Sequence, residues 1–261
     1  MSGRGYVSRS AGLILAFALA VGLGAAIAIA AGWAQGRSAG HSENANPHEH
    51  TGHVSSAYPT TTPEHPKVEI ALSFDDGPDP NNTPEILDIL KRYDVKATFF
   101  VRGDQARAYP GLVRREHQEG HVVGNHSYSH PKLTSLSKAE VRKQLQDTNT
   151  AITAAGAPEP KLFRPPWGAT DAEVEGVANS LGLTQTLWDE SASVDEGQGE
   201  NLATPAAVCD QTVARAEPGA ILLLHDGFTP STAKALPCII RRLKARGYEF
   251  GLIHRLLRTT C

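Results

Sequence analysis

The sequence predicts an α/β protein in which helices cover a parallel sheet. Strand-like and helix-like segments alternate from residue 68 onward, and such alternation is typical of parallel sheets. The segment "AILLL" at 220–224 is apolar at every position, as expected of a strand buried on both faces. A closed or nearly closed (β/α) barrel and an open doubly wound sheet both fit this pattern. Both place functional residues at the carboxyl ends of the strands.

Local signals give the order of the elements. Strands are predicted over residues 68–74, 96–101, 121–126, 161–166, 183–189, 219–226 and 248–254. Helices are predicted over residues 81–93, 109–120, 137–156, 171–181, 204–216 and 231–246. Pro84 suits the first turn of the first helix. Ser137 and Glu140 form a capping box that opens the third helix, and Gly156 ends it.

The N-terminal part of the chain differs from the rest. Residues 11–32 carry no charged side chain and follow Arg4 and Arg9, which is typical of an export signal. The apolar run is also long enough to span a bilayer, which needs roughly 20 residues. Residues 1–33 are therefore predicted to be a signal peptide or an N-terminal membrane anchor. Both alternatives place the remaining chain outside the cytoplasm, either secreted or anchored to the outer face of the membrane.

A linker and one domain follow. Residues 34–66 are rich in His, Pro and Thr and have too few aliphatic residues to form a core, so we expect a disordered linker. Residues 67–261 are long enough for one domain with a sizeable core. The net charge is −3, from 25 basic and 28 acidic residues, which argues against a nucleic-acid surface.

Three cysteines bear on the compartment. An exported chain meets oxidising conditions, where one disulfide is feasible. Spacing alone leaves the pairing among Cys209, Cys238 and Cys261 open. We favour the bond between Cys209 and Cys238.

Four motifs at strand ends carry candidate chemistry. "SFDDGP" at 73–78 places Asp75 beside Asp76, and "HSYSHP" at 126–131 holds His126 and His130. On a helical turn, this spacing would set both imidazoles on one face. Two histidines and one carboxylate form a ligand set with a position open for water, as in catalytic zinc sites. "FRPPWG" at 163–168 and "LLLHD" at 222–226 follow two further predicted strands.

These four motifs resemble the first, second, third and fifth signature motifs of the polysaccharide deacetylases, carbohydrate esterase family 4. The resemblance extends from about residue 68 to about residue 255. It implies a distorted (β/α) barrel of about seven strands. It also implies a hydrolase of linear amides that removes acetyl groups from sugar polymers with one divalent metal ion, either Zn²⁺ or a similar ion such as Co²⁺.

The resemblance assigns the metal ligands and the two catalytic groups. It implies that the ligands are Asp76, His126 and His130. Asp75 would be the general base, kept ionised by the cation and by Arg164. His225 would be the general acid that protonates the departing amine.

The remaining assignments concern the substrate. The backbone N–H of Trp167 would stabilise the oxyanion, Pro165 would adjoin the substrate, and Leu223 would line a slot for the acetyl methyl group. Each has a structural alternative. Arg164 could simply secure a turn, Trp167 could be a hydrophobic lid, and Leu223 could be an ordinary core residue.

The fourth family motif is altered. In "LWDESASVDEGQGEN", Trp188 and Asp189 are present, but the later tryptophan of the family is missing. With one extra residue, Asp195 would take the position of the aspartate that tunes the catalytic histidine. Glu196 would replace the tryptophan that walls the sugar subsite. The change bears on substrate preference more than on catalysis.

The expected function is therefore removal of N-acetyl groups from N-acetylglucosamine glycans, either peptidoglycan or chitin-like material. An acetylxylan esterase would use the same residues. A carbohydrate-binding module without turnover and a metal scavenger built on the His-rich linker are alternatives of other classes. We expect a glycan partner, membrane contact only through the N-terminal segment, and a monomer.

Overall fold

The structure is a computed structural model that describes residues 68–189, 203–227 and 229–259, with side chains through residue 256. The predicted leader and linker, Asp195, Glu196 and Cys261 lie outside the described residues. Within the described ranges, no helix combines the length and the apolar character needed to cross a membrane.

Strands and helices alternate through the described part of the chain. The strands are β1 (Val68–Asp75), β2 (Thr98–Val101), β3 (Val122–Asn125), β4 (Leu162–Phe163), β5 (Thr184–Gln185), β6 (Ile221–His225) and β7 (Tyr248–Gly251). The helices are α1 (Asn82–Tyr93), α2 (Gly103–Ala108), α3 (Pro110–Gln118), α4 (Lys138–Ala154), α5 (Ala172–Ser180), α6 (Pro205–Arg215), α7 (Pro230–Ala245) and α8 (Ile253–Thr259). Short 3-10 helices span Leu133–Ser135 and Pro166–Gly168.

The sheet confirms the predicted fold class. Its strands follow the order β5-β4-β3-β2-β1-β6, and all of these neighbours pair in parallel. β7 also pairs with β1, along residues 68–71, whereas β6 pairs with residues 71–75 of the same strand. The result is a curled half-barrel with helices, a distorted (β/α) barrel.

Asp189 links β5 and β6, the strands at the two ends of this order. The backbone N–H of Asp189 donates to the carbonyl of Ile221 at 3.3 Å, and the Asp189 carboxylate accepts from the N–H of Ile221 at 2.7 Å. Asp189 follows β5, and Ile221 begins β6. The Trp-Asp pair recognised in the sequence therefore helps to join β5 to β6.

β1 shows how the sheet separates core from site. Alternate residues of a strand point to opposite faces. Ile70, Leu72 and Phe74 belong to the largest apolar cluster, which also contains side chains of α1, α6 and α7. Ser73 and Asp75 alternate with them and therefore face the interior of the barrel, where polar groups gather.

Several local predictions are confirmed, whereas some predicted elements have the wrong bounds. The capping box of Ser137 and Glu140 is present. A disulfide joins Cys209 of α6 to Cys238 of α7, as favoured. The predicted strand 248–254 ends at Gly251, because the apolar residues after it begin α8. α2 has no counterpart among the predicted helices, since its six residues are too few to show a clear helical period.

Candidate metal and active site

Parallel pairing brings the predicted motifs to one edge of the sheet. Asp75 is in register with His225 on the neighbouring strand β6. Asn125, the last residue of β3, is in register with Phe163 of β4, and His126 and Arg164 follow directly. The backbone N–H of Arg164 donates to the carbonyl of Asn125 at 3.0 Å. Four motifs that are far apart in the sequence therefore follow the carboxyl ends of β4, β3, β1 and β6, at one edge of the sheet.

Two glycines allow the loops after β1 and β6 to lie against each other. A Cβ on Gly77 would overlap the carboxylate of Asp226, and a Cβ on Gly227 would lie 2.7 Å from Cβ of Asp76. A side chain at Gly77 would displace Asp226, and a side chain at Gly227 would displace Asp76. The glycine of "DDGP" is therefore required by packing as well as by the turn.

The three predicted ligands converge. Oδ1 of Asp76 lies 3.3 Å from Nε2 of His130 and 3.8 Å from Nε2 of His126. One ligand atom from each residue lies within 4.8 Å of the others. Such a carboxylate and imidazole set suits a divalent transition-metal ion.

The protonation of the histidines fits a cation. Nδ1 of His126 lies 2.8 Å from the carbonyl oxygen of Arg164, which can only accept, so Nδ1 carries the proton and the lone pair of Nε2 faces Asp76. Burial lowers the pKa of His126 to about 3. Burial also lowers the pKa of His130, although Asp76 opposes that change. Both imidazoles are therefore neutral near pH 7, as metal ligands must be.

The carboxylate supports the same interpretation. Oδ1 of Asp76 is buried and has no hydrogen-bond donor among the described residues. Within the described part of the chain, this buried oxygen faces two neutral imidazole nitrogens and has no compensating hydrogen-bond partner. A divalent ion would supply one, so the residues present fit the metal that the sequence predicts.

The loop that carries the histidines is not the helical turn considered in the sequence analysis. Residues 126–132 are irregular, and both Ser127 and His130 have positive φ, 61° and 60°. Oδ1 of Asn125 accepts from the N–H of Ser127 at 2.8 Å, and Oγ of Ser127 accepts from the N–H of His130 at 3.2 Å. Oε1 of Gln144 on α4 accepts from the backbone of the same loop. These hydrogen bonds, rather than helical periodicity, bring the two rings together.

Asp75 and Arg164 form a buried ion pair next to these ligands. Nη1 of Arg164 lies 2.8 Å from Oδ1 of Asp75 and 2.9 Å from Oγ of Ser73. Oδ2 of Asp75 lies 3.7 Å from Nε2 of His126. Arg164 is fully buried, and burial lowers its pKa while Asp75 raises it.

Arg164 also secures neighbouring backbone. Its guanidinium donates to the carbonyls of Thr186 and Leu187 at 3.3 and 3.2 Å, and Cζ lies 4.1 Å from the centre of the Phe100 ring. Both interpretations of Arg164 therefore have a structural basis. It pairs with Asp75, and it secures the segment that follows β5.

The remaining predicted residues surround this centre. Pro165 is buried and precedes the 3-10 helix that carries Trp167. The indole of Trp167 lies 4.7 Å from the imidazole of His130, between ring centres, and is 66% exposed. Leu223 is buried in register with Ser73, and His225 is half-buried. Their roles with a substrate stay predictions.

Sequence reasoning missed two buried acids, Asp226 directly after His225 and Glu116 on α3. Asp226 accepts a hydrogen bond from Oγ1 of Thr83 at 2.6 Å, and burial raises the pKa of Asp226 to about 7. Glu116 of α3 is fully buried, and neither carboxylate oxygen has a hydrogen-bond partner among the described residues. Burial, followed by the charge of Asp226, raises the pKa of Glu116 well above its ordinary value. The position of Asp226 after His225 was the only signal in the sequence.

Comparison with known proteins shows to which family this chain belongs. The family model for polysaccharide deacetylases matches residues 62–186. A chitooligosaccharide deacetylase of Rhizobium leguminosarum bv. trifolii is 37% identical over 193 residues, which cover 69% of this chain and 87% of that protein. The chain belongs to the polysaccharide deacetylase family. The resemblance inferred from the four motifs is therefore confirmed.

Other members of the polysaccharide deacetylase family agree in sequence and in fold. A peptidoglycan-N-acetylglucosamine deacetylase of Listeria monocytogenes is 42% identical over 198 residues, 74% of this chain and 41% of that protein. The chain thus spans less than half the length of this relative. The structure of a family 4 carbohydrate esterase from Streptomyces lividans in complex with acetate is 38% identical. It has a TM-score of 0.64 and covers 70% of this chain and 92% of that one.

Proposed function

We propose that the chain is an exported, metal-dependent hydrolase that removes N-acetyl groups from glycans containing N-acetylglucosamine. The observation that carries the proposal is the convergence of Asp76, His126 and His130 beside the ion pair of Asp75 and Arg164. Relatives with at least a third of the sequence in common are named as deacetylases of peptidoglycan or of chitooligosaccharides. Peptidoglycan and chitin-like oligomers are therefore the substrates to test first.

The proposed chemistry divides between the two aspartates. Asp76 would hold a divalent ion with His126 and His130. When bound, such an ion lowers the pKa of a water molecule and polarises the acetyl carbonyl. Asp75 would accept the proton of the attacking water, and the cationic Arg164 beside it favours the ionised form that a base requires.

The opposite group is His225. It is in register with Asp75 on the adjacent strand, so the proposed base and the proposed acid lie at the same edge of the sheet. His225 would donate a proton to the departing nitrogen, which then leaves as a neutral amine. The backbone N–H of Trp167 would donate to the oxyanion, and buried Leu223 would contact the acetyl methyl group.

Acetate release tests this proposal. The full-length purified protein would be incubated with N-acetylglucosamine oligomers and with peptidoglycan, before and after removal of metal by EDTA and restoration with Zn²⁺ or Co²⁺. We expect release that EDTA abolishes and metal restores, and loss of release in Asp75→Asn. A wild-type protein that releases no acetate from any of these glycans with metal present contradicts the proposal.

An ester substrate is the second candidate. The structurally similar Streptomyces protein is a carbohydrate esterase, and attack on an acetyl ester needs the same base and oxyanion contacts. Acetylated xylan in the same assay separates the two. A higher kcat/KM for acetylxylan than for amino-sugar oligomers would favour the esterase. A binding module without turnover is disfavoured because both Asp75 and His225 are present at the strand ends.

Export is the further part of the proposal. The uncharged segment 11–32 after two arginines supports it, whether the segment is cleaved or retained as an anchor. Fractionation of the native host followed by N-terminal sequencing distinguishes these outcomes. A protein found in the cytoplasmic fraction with its first residues intact contradicts export.

A further inference from the structure

We propose that Thr83 is a positioning residue that holds the proposed acid His225 in place relative to the proposed base Asp75. The inference rests on the proposed function and adds to it the means by which the acid is aligned with the departing nitrogen. Thr83 lies in the first turn of α1 and is fully buried. It acts through Asp226, which directly follows His225 and is 1% exposed.

The hydroxyl of Thr83 joins two loops through two hydrogen bonds. The N–H of Asp79, in the loop after β1, donates to Oγ1 of Thr83 at 2.8 Å. The hydroxyl donates in turn to Oδ2 of Asp226, in the loop after β6, at 2.6 Å. A hydroxyl group can accept and donate at the same time, whereas a methyl group can do neither. Replacement of Thr83 by valine, which has nearly the same shape, would therefore break both hydrogen bonds.

Asp226 is the residue through which these two loops contact each other. Its N–H donates to the carbonyl of Asp75 at 3.2 Å, directly after the position where Asp75 and His225 are in register. Its carboxylate occupies the space that a Cβ on Gly77 would take. Because Asp226 is bonded to His225 and hydrogen-bonded to Asp75, a shift of its carboxylate changes the position of the acid relative to the base.

A second contact from α1 supports the same loop. Nδ2 of Asn82 donates to the carbonyl of Gly227 at 3.1 Å. The start of α1 therefore holds the loop after β6 at two successive residues, Asp226 and Gly227. Thr83 makes the buried contact of the two, and its hydroxyl is the one that reaches a side chain.

Stability alone does not account for the pair of Thr83 and Asp226. Oδ1 of Asp226 is buried and has no hydrogen-bond partner among the described residues. Burial of a carboxyl group with an unpartnered oxygen is unfavourable for folding. A role in fixing the loop of His225 explains why an acid lies there.

The position of an acid matters only for some leaving groups. A general acid must lie about 2.6–3.2 Å from the atom that it protonates, and a misplacement of about 1 Å can cost about 100-fold in rate. An amide nitrogen needs that proton, because it leaves as a neutral amine. The 4-nitrophenolate of an aryl acetate leaves as a stable anion and needs none. Loss of the Thr83 hydroxyl should therefore slow the first reaction far more than the second.

A comparison of the two leaving groups tests the inference. The full-length proteins would be wild type, Thr83→Val, Thr83→Ser and the control Thr212→Val, each assayed at saturating Zn²⁺ on N-acetylglucosamine oligomers and on 4-nitrophenyl acetate. Thr212 on α6 is also fully buried, but its hydroxyl has no hydrogen-bond partner among the described residues. Ester hydrolysis that survives in Asp75→Asn is subtracted as background.

We expect Thr83→Val to lower kcat for the oligomers at least about tenfold with little change in KM, and to lower ester hydrolysis by less than about threefold. Thr83→Ser keeps the hydroxyl and should restore most of the loss, whereas Thr212→Val should behave as the wild type does. Thermal unfolding shows that each variant is folded at the assay temperature. If Thr83→Val does not fold, the smaller Thr83→Ala replaces it with the same expected pattern.

Two results overturn the inference. One is an equal loss for amide and ester, which makes Thr83 a structural residue only, and the other is a wild-type rate for both substrates. A Thr83→Ser variant as slow as Thr83→Val on the oligomers also contradicts it. In these cases the wild type still releases acetate, so the proposed function stands. A wild type that releases no acetate from any glycan refutes the proposed function together with the inference that rests on it.

Discussion

Replacement of Arg164 by methionine tests whether the buried ion pair organises the site. The change keeps an unbranched side chain that can pack over Phe100, but it removes the cation that lies 2.8 Å from Asp75. Asp75 would then be a buried carboxylate, 2% exposed, that has lost the Arg164 cation. Breaking a buried ion pair from one side costs about 3–5 kcal/mol. For a domain of this size, about 2–4 °C per kcal/mol predicts a fall in Tm of about 6–20 °C.

Thermal unfolding of metal-free protein at pH 7 measures this effect without a contribution from metal binding. Asp75→Asn should also lower Tm, because it leaves the Arg164 guanidinium buried and unpaired. The double variant should be less destabilised than the sum of the two single variants by at least about 1 kcal/mol, since it leaves neither charge alone.

A surface pair provides the matched control. Lys143 and Asp147 lie 2.8 Å apart on α4, with side chains 74% and 42% exposed. Lys143→Met should lower Tm by less than about 2 °C, because exposed helical pairs contribute only about 0.3–0.5 kcal/mol. The reasoning is refuted if Arg164→Met lowers Tm by no more than Lys143→Met does. It is also refuted if the destabilisation of the double variant equals the sum of the two single variants.

Three further predictions concern metal, pH and the disulfide. His126→Ala should weaken Zn²⁺ binding by at least about 100-fold in calorimetric titration, because it removes a direct ligand. The folded protein keeps Glu116 protonated at pH values where the unfolded chain has released that proton. The contribution of Glu116 to the free energy of unfolding therefore falls as pH rises above about 4.3. Glu116→Gln should therefore raise Tm by more at pH 8 than at pH 5. Loss of the bond between Cys209 and Cys238 in a double alanine variant should cost about 3.5 kcal/mol and lower Tm by about 7–14 °C.

Each of these has its own control and adverse result. His117→Ala on the exposed face of α3 should leave Zn²⁺ affinity unchanged, and equal affinities of His117→Ala and His126→Ala would contradict the ligand assignment. Glu175→Gln on the exposed face of α5 should shift Tm equally at both pH values. A Tm difference for Glu116→Gln that is constant with pH would show that this carboxyl is not buried and protonated. If the double alanine variant has the same Tm as the wild type, the disulfide does not stabilise the domain.

Much of the fold could be predicted because its signals are local. Ser137 and Glu140 cap their helix within four residues of sequence, and the apolar segment 220–224 contains most of the buried strand β6. The parallel sheet then follows from alternation, and with it the meeting of the strand-end motifs. Element ends were less accurate. The predicted strand 161–166 shrinks to Leu162–Phe163, because Pro165 and Pro166 have no N–H to donate to a neighbouring strand.

The parts that could not be predicted depend on distant contacts. Gln144 supports the histidine loop from α4, and nothing in its neighbourhood distinguishes it from any other helical glutamine. Glu116 directly follows Arg114 and Arg115 on α3, as a solvent-exposed glutamate would, so its burial could not be inferred. Asp189 was recognised only as part of a motif, whereas the structure shows that it joins the two ends of the strand order.

Most of the residues with a strained backbone are also residues of the candidate site. Of the five non-glycine residues with positive φ among those described, four are at the site, namely Asp76, Ser127, His130 and Trp167. At about 1 kcal/mol or more each, these conformations cost about 4 kcal/mol or more in total, which is a large share of the 5–15 kcal/mol that stabilises a typical protein. They persist because contacts hold the neighbouring backbone, chiefly the hydrogen bonds of Asn125, Ser127 and Gln144 in the histidine loop and the close approach of Gly227 to Asp76. Asp75 directly precedes Asp76, and the carbonyl of Arg164 lies 2.8 Å from Nδ1 of His126, so the ion pair of Arg164 and Asp75 should influence metal affinity as well as stability. Arg164→Met should therefore weaken Zn²⁺ binding although it removes no ligand. Unchanged affinity would show that the loops with the metal ligands keep their conformation without the ion pair.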